Sequence, residues 1–333
     1  MKRYITASLS GILTKISVIS PLTIRTLTIS VFAVMAFSGH MHAQAPTLPP
    51  TNLGLANVFD GIAGKPGFLY QGYVQAFQTR GIYDQYGNKA ATDLKINSLV
   101  TLHQFICLSK VKALGGNLGF TVIVPVAQVS ASSINTGAPA ANPKVWGDII
   151  TGVAVQWSDR KLFGKAFSHR TELDVSIPTG AFNDAYAINP SAHLYSFGMY
   201  HAFTLLVNKQ LSVSARNQFN YNTRIIDSKA QPGTFYNGNY SVDYTILPGL
   251  KVEAAAYYLH QFNQDRYDGH SNYYATQYGI TDTRERVLGY GPGVAYFLPG
   301  GGLMELKVFS ETAAKNRPAG WRPTLRVAIP LTR

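Results

Sequence analysis

A chain of 333 residues is long enough for one large β-barrel or two ordinary domains. Charged side chains make up only 14% of it, against 20 tyrosines, 17 phenylalanines and 30 glycines, which favours strands and turns over a charged helical enzyme. Mean hydropathy of +0.00 excludes a helical membrane bundle but suits a barrel in which alternate residues meet lipid.

The first 45 residues differ in kind from the rest. Their only charges are Lys2, Arg3, Lys15 and Arg25, followed by a mostly apolar run from Leu27 to Phe37 and the small-x-small pattern Ala43-Gln44-Ala45. The run is too short to cross a bilayer as a helix, which needs roughly 20 residues. Residues 1–45 therefore read as a signal peptide, cut after Ala45 or Ala43, and the chain as exported. Its removal takes four positive charges from the net +12, leaving +8. The remaining basic residues are scattered rather than clustered, so nucleic acid is not an expected partner. Residues 46–66 carry Pro46, Pro49, Pro50 and Pro66 and read as non-strand, either a periplasmic lead or a partial plug. Leu53, Leu55, Val58, Phe59 and Ile62 are too apolar for a free tail and favour the plug.

Residues 67–333 read as about twelve short segments of alternating polarity, and their connections alternate in length. Those at 81–93, 131–147, 179–193, 223–237 and 263–285 are long. Those at 109–117, 159–165, 207–211, 247–251 and 299–302 are shorter, and only the final one, 313–320, breaks the rule. Long external loops, short periplasmic turns and an even strand count belong to bacterial outer-membrane barrels. The predicted fold is all-β: a closed antiparallel transmembrane β-barrel of about 12 strands, with both mature termini on the periplasmic side. Closure follows because lipid cannot satisfy the backbone groups of an open sheet edge.

Successive strand residues face opposite sides. From Arg170 to Ile177, one face carries Arg170, Glu172, Asp174 and Ser176 and the other Thr171, Leu173, Val175 and Ile177. The same alternation puts Asp148, Arg170, Glu172, Asp174, Arg216, Asp243, Glu253, Glu305, Lys307 and Arg326 on the inner face. They are the candidate lumen-lining residues, serving as a paired network, a polar constriction on the solute path, or both. Alternation leaves Phe77, Tyr195, Phe197, Tyr200, Phe203 and Phe309 ambiguous or inward; those that face inward would line an apolar route, and the alternative is that they face lipid or fill the lumen.

No catalytic, cofactor or metal arrangement stands out. His169, His193, His201, His260 and His270 lack metal spacing, and the lone Cys107 reads as a packed thiol in an apolar strand. Gly289, Gly291 and Gly293, interrupted by Pro292, suggest a smooth strand under close packing rather than a phosphate loop. Asp265, Asp268, His270 and Asp282 share the longest loop and are the one place where an outer-rim hydrolase would fit.

Several stretches carry a family resemblance: Gly67-Phe68-Leu69-Tyr70, Asp84-Gln85-Tyr86-Gly87-Asn88-Lys89, Gly119-Phe120-Thr121-Val122-Ile123-Val124-Pro125 and Gly147-Asp148. They continue with Asp174-Val175-Ser176-Ile177-Pro178-Thr179-Gly180, Asp243-Tyr244, Pro248-Gly249-Leu250, Gly291-Pro292 and Asn316-Arg317-Pro318-Ala319-Gly320. In this order the chain resembles the outer-membrane transporter family named for the meta-pathway of phenol degradation, distantly like fatty-acid uptake barrels. The resemblance implies passage of small hydrophobic or aromatic compounds across the outer membrane. The chain departs from a common barrel habit in ending Leu331-Thr332-Arg333, without a terminal aromatic. The expected function is a passive channel for such compounds, with outer-membrane lipid and those solutes as partners. A general small-solute porin is the alternative, and an outer-membrane hydrolase the competitor from another class.

Overall fold

The computed structural model describes residues 48–49, 51–55, 58–135 and 137–331. The signal-peptide reading lies outside them. Twelve strands close into an antiparallel barrel: β1 (Gly67–Tyr83), β2 (Lys95–Ala113), β3 (Gly116–Ser132), β4 (Ile149–Leu162), β5 (Lys165–Ile177), β6 (Ser196–Leu206), β7 (Leu211–Asn222), β9 (Phe235–Leu247), β10 (Leu250–Gln261), β12 (Arg286–Phe297), β13 (Leu303–Lys315) and β14 (Arg317–Pro330). Two further strands, β8 (Ala230–Gln231) and β11 (Arg266–Tyr267), pair with each other in the loops, beside a single helical turn and a half, α1 (Tyr273–Tyr278). Each barrel strand pairs with its chain neighbours in the barrel, and β1 closes on β14 from Leu69↔Pro330 to Tyr83↔Arg317. No backbone edge is left for lipid to meet.

The two faces sort as the alternation requires. On β13, Glu305, Lys307 and Phe309 are buried while Met304, Leu306 and Val308 are exposed. On β6, Ser196, Tyr200 and Thr204 are buried and Phe197 and Met199 exposed. The exposed apolar side chains form the surface for the hydrocarbon, and the polar ones turn inward.

Strands run further into the short connections than the sequence suggests. The turns reduce to Leu114–Gly115 and Phe163–Gly164, each pairing two residues at positive φ, which shortens a hairpin without splaying it. The last connection is corrected most. Where a loop was expected at 313–320, β13 runs on along β12 to Lys315 and β14 begins along β1 at Arg317, with Asn316 (φ 53°) between them, although the two strands pair with each other only as far as Ser310↔Trp321. Pro318 and Gly320 disguised the start of β14 in the sequence. Pro125 has the opposite effect inside β3. The β3–β4 ladder stops at Ile123↔Ile150, and the neighbouring loop takes over, with the Gly147 N–H donating to the Pro125 carbonyl (3.0 Å).

Upstream of β1, the described part of residues 48–66 runs through the lumen. The Leu48 N–H approaches Glu285 Oε1 (3.4 Å) at the long-loop end. The Phe59 ring meets Phe297 (5.2 Å) at the short-turn end, where β1 begins. The lead segment thus traverses the barrel from loop end to turn end. Its first described residue lies at the opposite end from the one expected for the mature N-terminus. Surface labelling of intact cells should reach loop 263–285 and spare turn 247–251; the reverse pattern would invert the topology.

Candidate functional site

The lead segment has little structure of its own, so its position is set by what the wall offers. Leu53 packs into an inward apolar patch of Phe235, Ala255, Tyr257, Leu259, Val287 and Phe309. Val58 seats against Ala295 and Leu303. Burying each such side chain contributes roughly 1.5–3 kcal/mol. The patch exists because β12 is smooth: a Cβ on Gly289 would lie 2.1 Å from the Tyr257 ring, and one on Gly293 would lie 2.5 Å from Glu253 Oε2. Close packing is thus the role of these glycines.

Wall side chains satisfy the segment's backbone. Asn239 Oδ1 accepts from the Gly54 N–H (2.7 Å), and Gln75 Nε2 donates to the Leu53 carbonyl (2.9 Å). Glu305 Oε1 accepts from the Val58 N–H (3.3 Å), and Arg326 donates to the Val58 carbonyl (2.8 Å). Thr204 and Gln156 do the same for Gly61. The strongest tie is ionic. Asp60 takes a bidentate pair of bonds from Arg216 at 2.7 and 2.8 Å, with Arg170 at 3.7 Å.

The ten predicted lumen residues fall into separate groups. Arg170 and Glu172 (3.6 Å apart) join Arg216 around Tyr200, whose hydroxyl donates to Glu172 and whose ring lies 4.1 Å from the Arg216 guanidinium carbon. Glu305 faces Arg326 (2.7 Å) and Lys307 (3.2 Å), with Glu253 buried nearby on β10. Asp243 bonds Lys251 Nζ (2.6 Å) and Ser212 (2.5 Å). Asp148 is buried but serves the loops, accepting from the N–H groups of Gly180 (3.0 Å) and Ala192 (2.9 Å). Asp174 is the most open of the set and, among the described residues, has only Gln218 Nε2 at 3.4 Å.

Three of the six candidate inward aromatics point the other way. Phe77, Tyr200 and Phe309 are buried, whereas Tyr195 and Phe197 are 41% and 51% exposed, and Phe203 shares the outer face of β6 with Phe197. The inward positions of β6 are taken by Ser196, Gly198, Tyr200, Ala202 and Thr204, so an odd-numbered residue there faces outward.

Between the lead segment and the wall from β14 through β1 to β7 remains a cavity of about 260 Å³. One side of it is apolar: Leu53, Val100, Leu102, Ile123, Pro125 and Ile150. The other is polar, with Glu172, Asp174, Ser176, Gln218 and Asn220, and with Arg216 and Arg322. Arg322 is engaged by Glu311 (3.0 Å) and Gln75 (3.1 Å). Asp60, Glu311, Arg322 and the apolar side escaped the sequence reading. Arg322 was within reach of the alternation, lying two residues before Thr324 on the face that carries Arg326. The apolar side had no usable signal, because β3 is apolar on both faces there and on β2 the polar Thr101 and His103 lie on the face opposite Val100 and Leu102.

The residues of the longest loop form no reactive cluster. Asp268 pairs with Lys229 (2.8 Å) and Asp282 with Arg284 (2.9 Å). Asp265 accepts from the Gly233 N–H (2.8 Å) and Gln261 Nε2 (2.6 Å), stitching two loops together. Burial pushes its carboxyl up to about 7 against those bonds. A raised carboxyl favours the docked loop while it stays protonated, in full below its ordinary value near 3.8, and this is lost as pH rises through about 7. Protection of loop 263–285 against hydrogen exchange, taken relative to the intrinsic rate at each pH, should therefore fall between about pH 4 and 7, and Asp265→Asn should remove that fall.

Comparison with known proteins agrees with this geometry. No curated protein sequence matches the chain. In shape it is similar to the COG4313 outer membrane channel from Pseudomonas putida F1, at 15% identity and a TM-score of 0.67, covering 85% of this chain and 99% of that one. The β domain of the Bordetella autotransporter BrkA (11% identity, 80% and 100% covered, TM-score 0.47) and the Pseudomonas putida toluene transporter TodX (7%, 86% and 94%, 0.40) are too far in shape to bear on the argument. Residues 79–327, almost the whole barrel, match the family model described as "Putative MetA-pathway of phenol degradation", and the chain belongs to that family.

Proposed function

We propose that the protein is an outer-membrane channel for passive uptake of small hydrophobic or aromatic compounds. The cavity carries this reading. Its 260 Å³ compares with the roughly 150 Å³ that holds benzene in an engineered protein core. Its apolar side accepts a ring while its polar side keeps water and substituents solvated, the mixture that orients small ligands. Family membership and the likeness in shape to an outer-membrane channel support the same reading. Residues 46–66 act in it as a partial plug, displaced or skirted as solute passes, and residues 1–45 as the export signal.

The ion-paired inner wall favours a second reading, a general small-solute porin. Neither reading assigns a catalytic role to the polar groups, most of which hold the wall, the loops and the lead segment. Proteoliposome uptake of an aromatic acid, a phenol, a fatty acid and a sugar in parallel separates the readings. Preferred uptake of the single-ring compounds supports the proposal, and preferred uptake of the sugar supports the porin. No uptake, with fatty acid released from phospholipid, overturns both.

A further inference from the structure

The cavity's two carboxylates are not equivalent. Glu172 is neutralised by Arg170 (3.6 Å) and receives the Tyr200 hydroxyl. Asp174, two residues along the same face, has no cation within salt-bridge distance among the described residues, and its one hydrogen bond, from Gln218, is long at 3.4 Å. The arginines in the lining are already taken: Arg216 by Asp60, Arg317 by Glu285 (3.1 Å) and Arg322 by Glu311. A carboxylate in a partly dehydrated wall without a partner retains strong unmet acceptor capacity.

The backbone around it is built to leave that capacity open. In the sheet, Asp174 pairs laterally with Gly152 on β4 and Gly198 on β6, so neither neighbouring strand sets a side chain at its level, and the space over Gly152 is taken by Glu172 Oε1 from the same strand as Asp174. A Cβ on Gly198 would fall 2.0 Å from Asp174 Oδ1, so the carboxylate occupies the very space that this glycine vacates. The next residue of β4 on the inner face, Ile150, belongs to the apolar side with Ile123 and Pro125. A ring resting on those three carries its substituent towards Asp174.

We propose that Asp174 is a specificity-determining residue of the channel: it accepts a hydrogen bond from a neutral donor, such as an aromatic hydroxyl, and turns away aromatic carboxylates of the same size. This rests on the uptake reading above for its physiological meaning, but the site itself is testable by binding alone. With Asp174 ionised, as it is in alkaline buffer, a donor gains a bond to a charged acceptor, whereas a carboxylate meets a like charge in a poorly screened wall.

The test is fluorine NMR of the detergent-solubilised protein with 4-fluorophenol and 4-fluorobenzoate, for wild type, Asp174→Asn and Asp174→Glu, with heat-modified gel mobility as the folding control. The phenol-to-benzoate affinity ratio should exceed one in wild type, fall about tenfold or more in Asp174→Asn, and be largely kept by Asp174→Glu. A merely structural role would weaken both ligands together. A wild-type ratio at or below one, or a ratio unchanged by Asp174→Asn, overturns the proposal. Proteoliposome uptake of the same two compounds is run alongside. A kept affinity ratio without flux would leave the site standing and remove the uptake reading instead.

Discussion

Asp60→Asn should free the lead segment and raise single-channel conductance. In the folded protein this carboxylate holds Arg216 in two short bonds and stands near Arg170, all within the barrel. Removing one partner of a buried pair costs about 3–5 kcal/mol, because the other charge is left uncompensated. Each 1.4 kcal/mol is a factor of ten in population, so even the lower figure raises the released fraction by two orders of magnitude. The wall need not unfold, since Arg170 keeps Glu172 and Arg216 becomes free to meet water. Planar-bilayer recordings should show larger or longer-lived openings. Conductance equal to wild type would mean that the segment does not control the lumen.

Glu305→Ala should damage the barrel itself. Glu305 lies between Lys307 and Arg326 and also accepts from the Val58 N–H, so its loss leaves Glu253 as the nearby carboxylate for two cations and an amide without its acceptor. The expected loss of stability is about 3–5 kcal/mol. The midpoint of urea unfolding, followed by gel mobility, should fall accordingly, and Glu305→Gln should fall less because it keeps an acceptor for Val58. A midpoint within error of wild type for Glu305→Ala would show that Glu253 and lumen water together compensate both cations.

The barrel was legible because its two physical demands leave marks on the chain: lipid on one face enforces alternation, and the two membrane sides differ in loop length. Arg170, Glu172 and Asp174 were placed by that alternation alone, in a strand polar on one side only. Where alternation fails, the reading failed with it. Ile123, Pro125 and Ile150 lie where both faces are apolar, so nothing marked them as cavity lining. Tyr195, Phe197 and Phe203 were ambiguous because an aromatic suits either lipid or lumen. Asp60 could not be found from the strand pattern, since its importance depends on where an irregular segment folds. The partnership of Asp60 with Arg216 spans 156 residues and leaves no local trace.

Blocking the cavity tests the central claim most directly. In a Cys107→Ala background, Ile123→Cys places a thiol on the apolar side of the cavity. A bulky water-soluble maleimide should attach to it, verified by mass, and stop proteoliposome uptake of phenol. The same label on Leu306→Cys, on the lipid face, should leave uptake intact. If phenol still enters at the wild-type rate when Ile123→Cys is fully labelled, the solute does not travel through this cavity and the account is wrong.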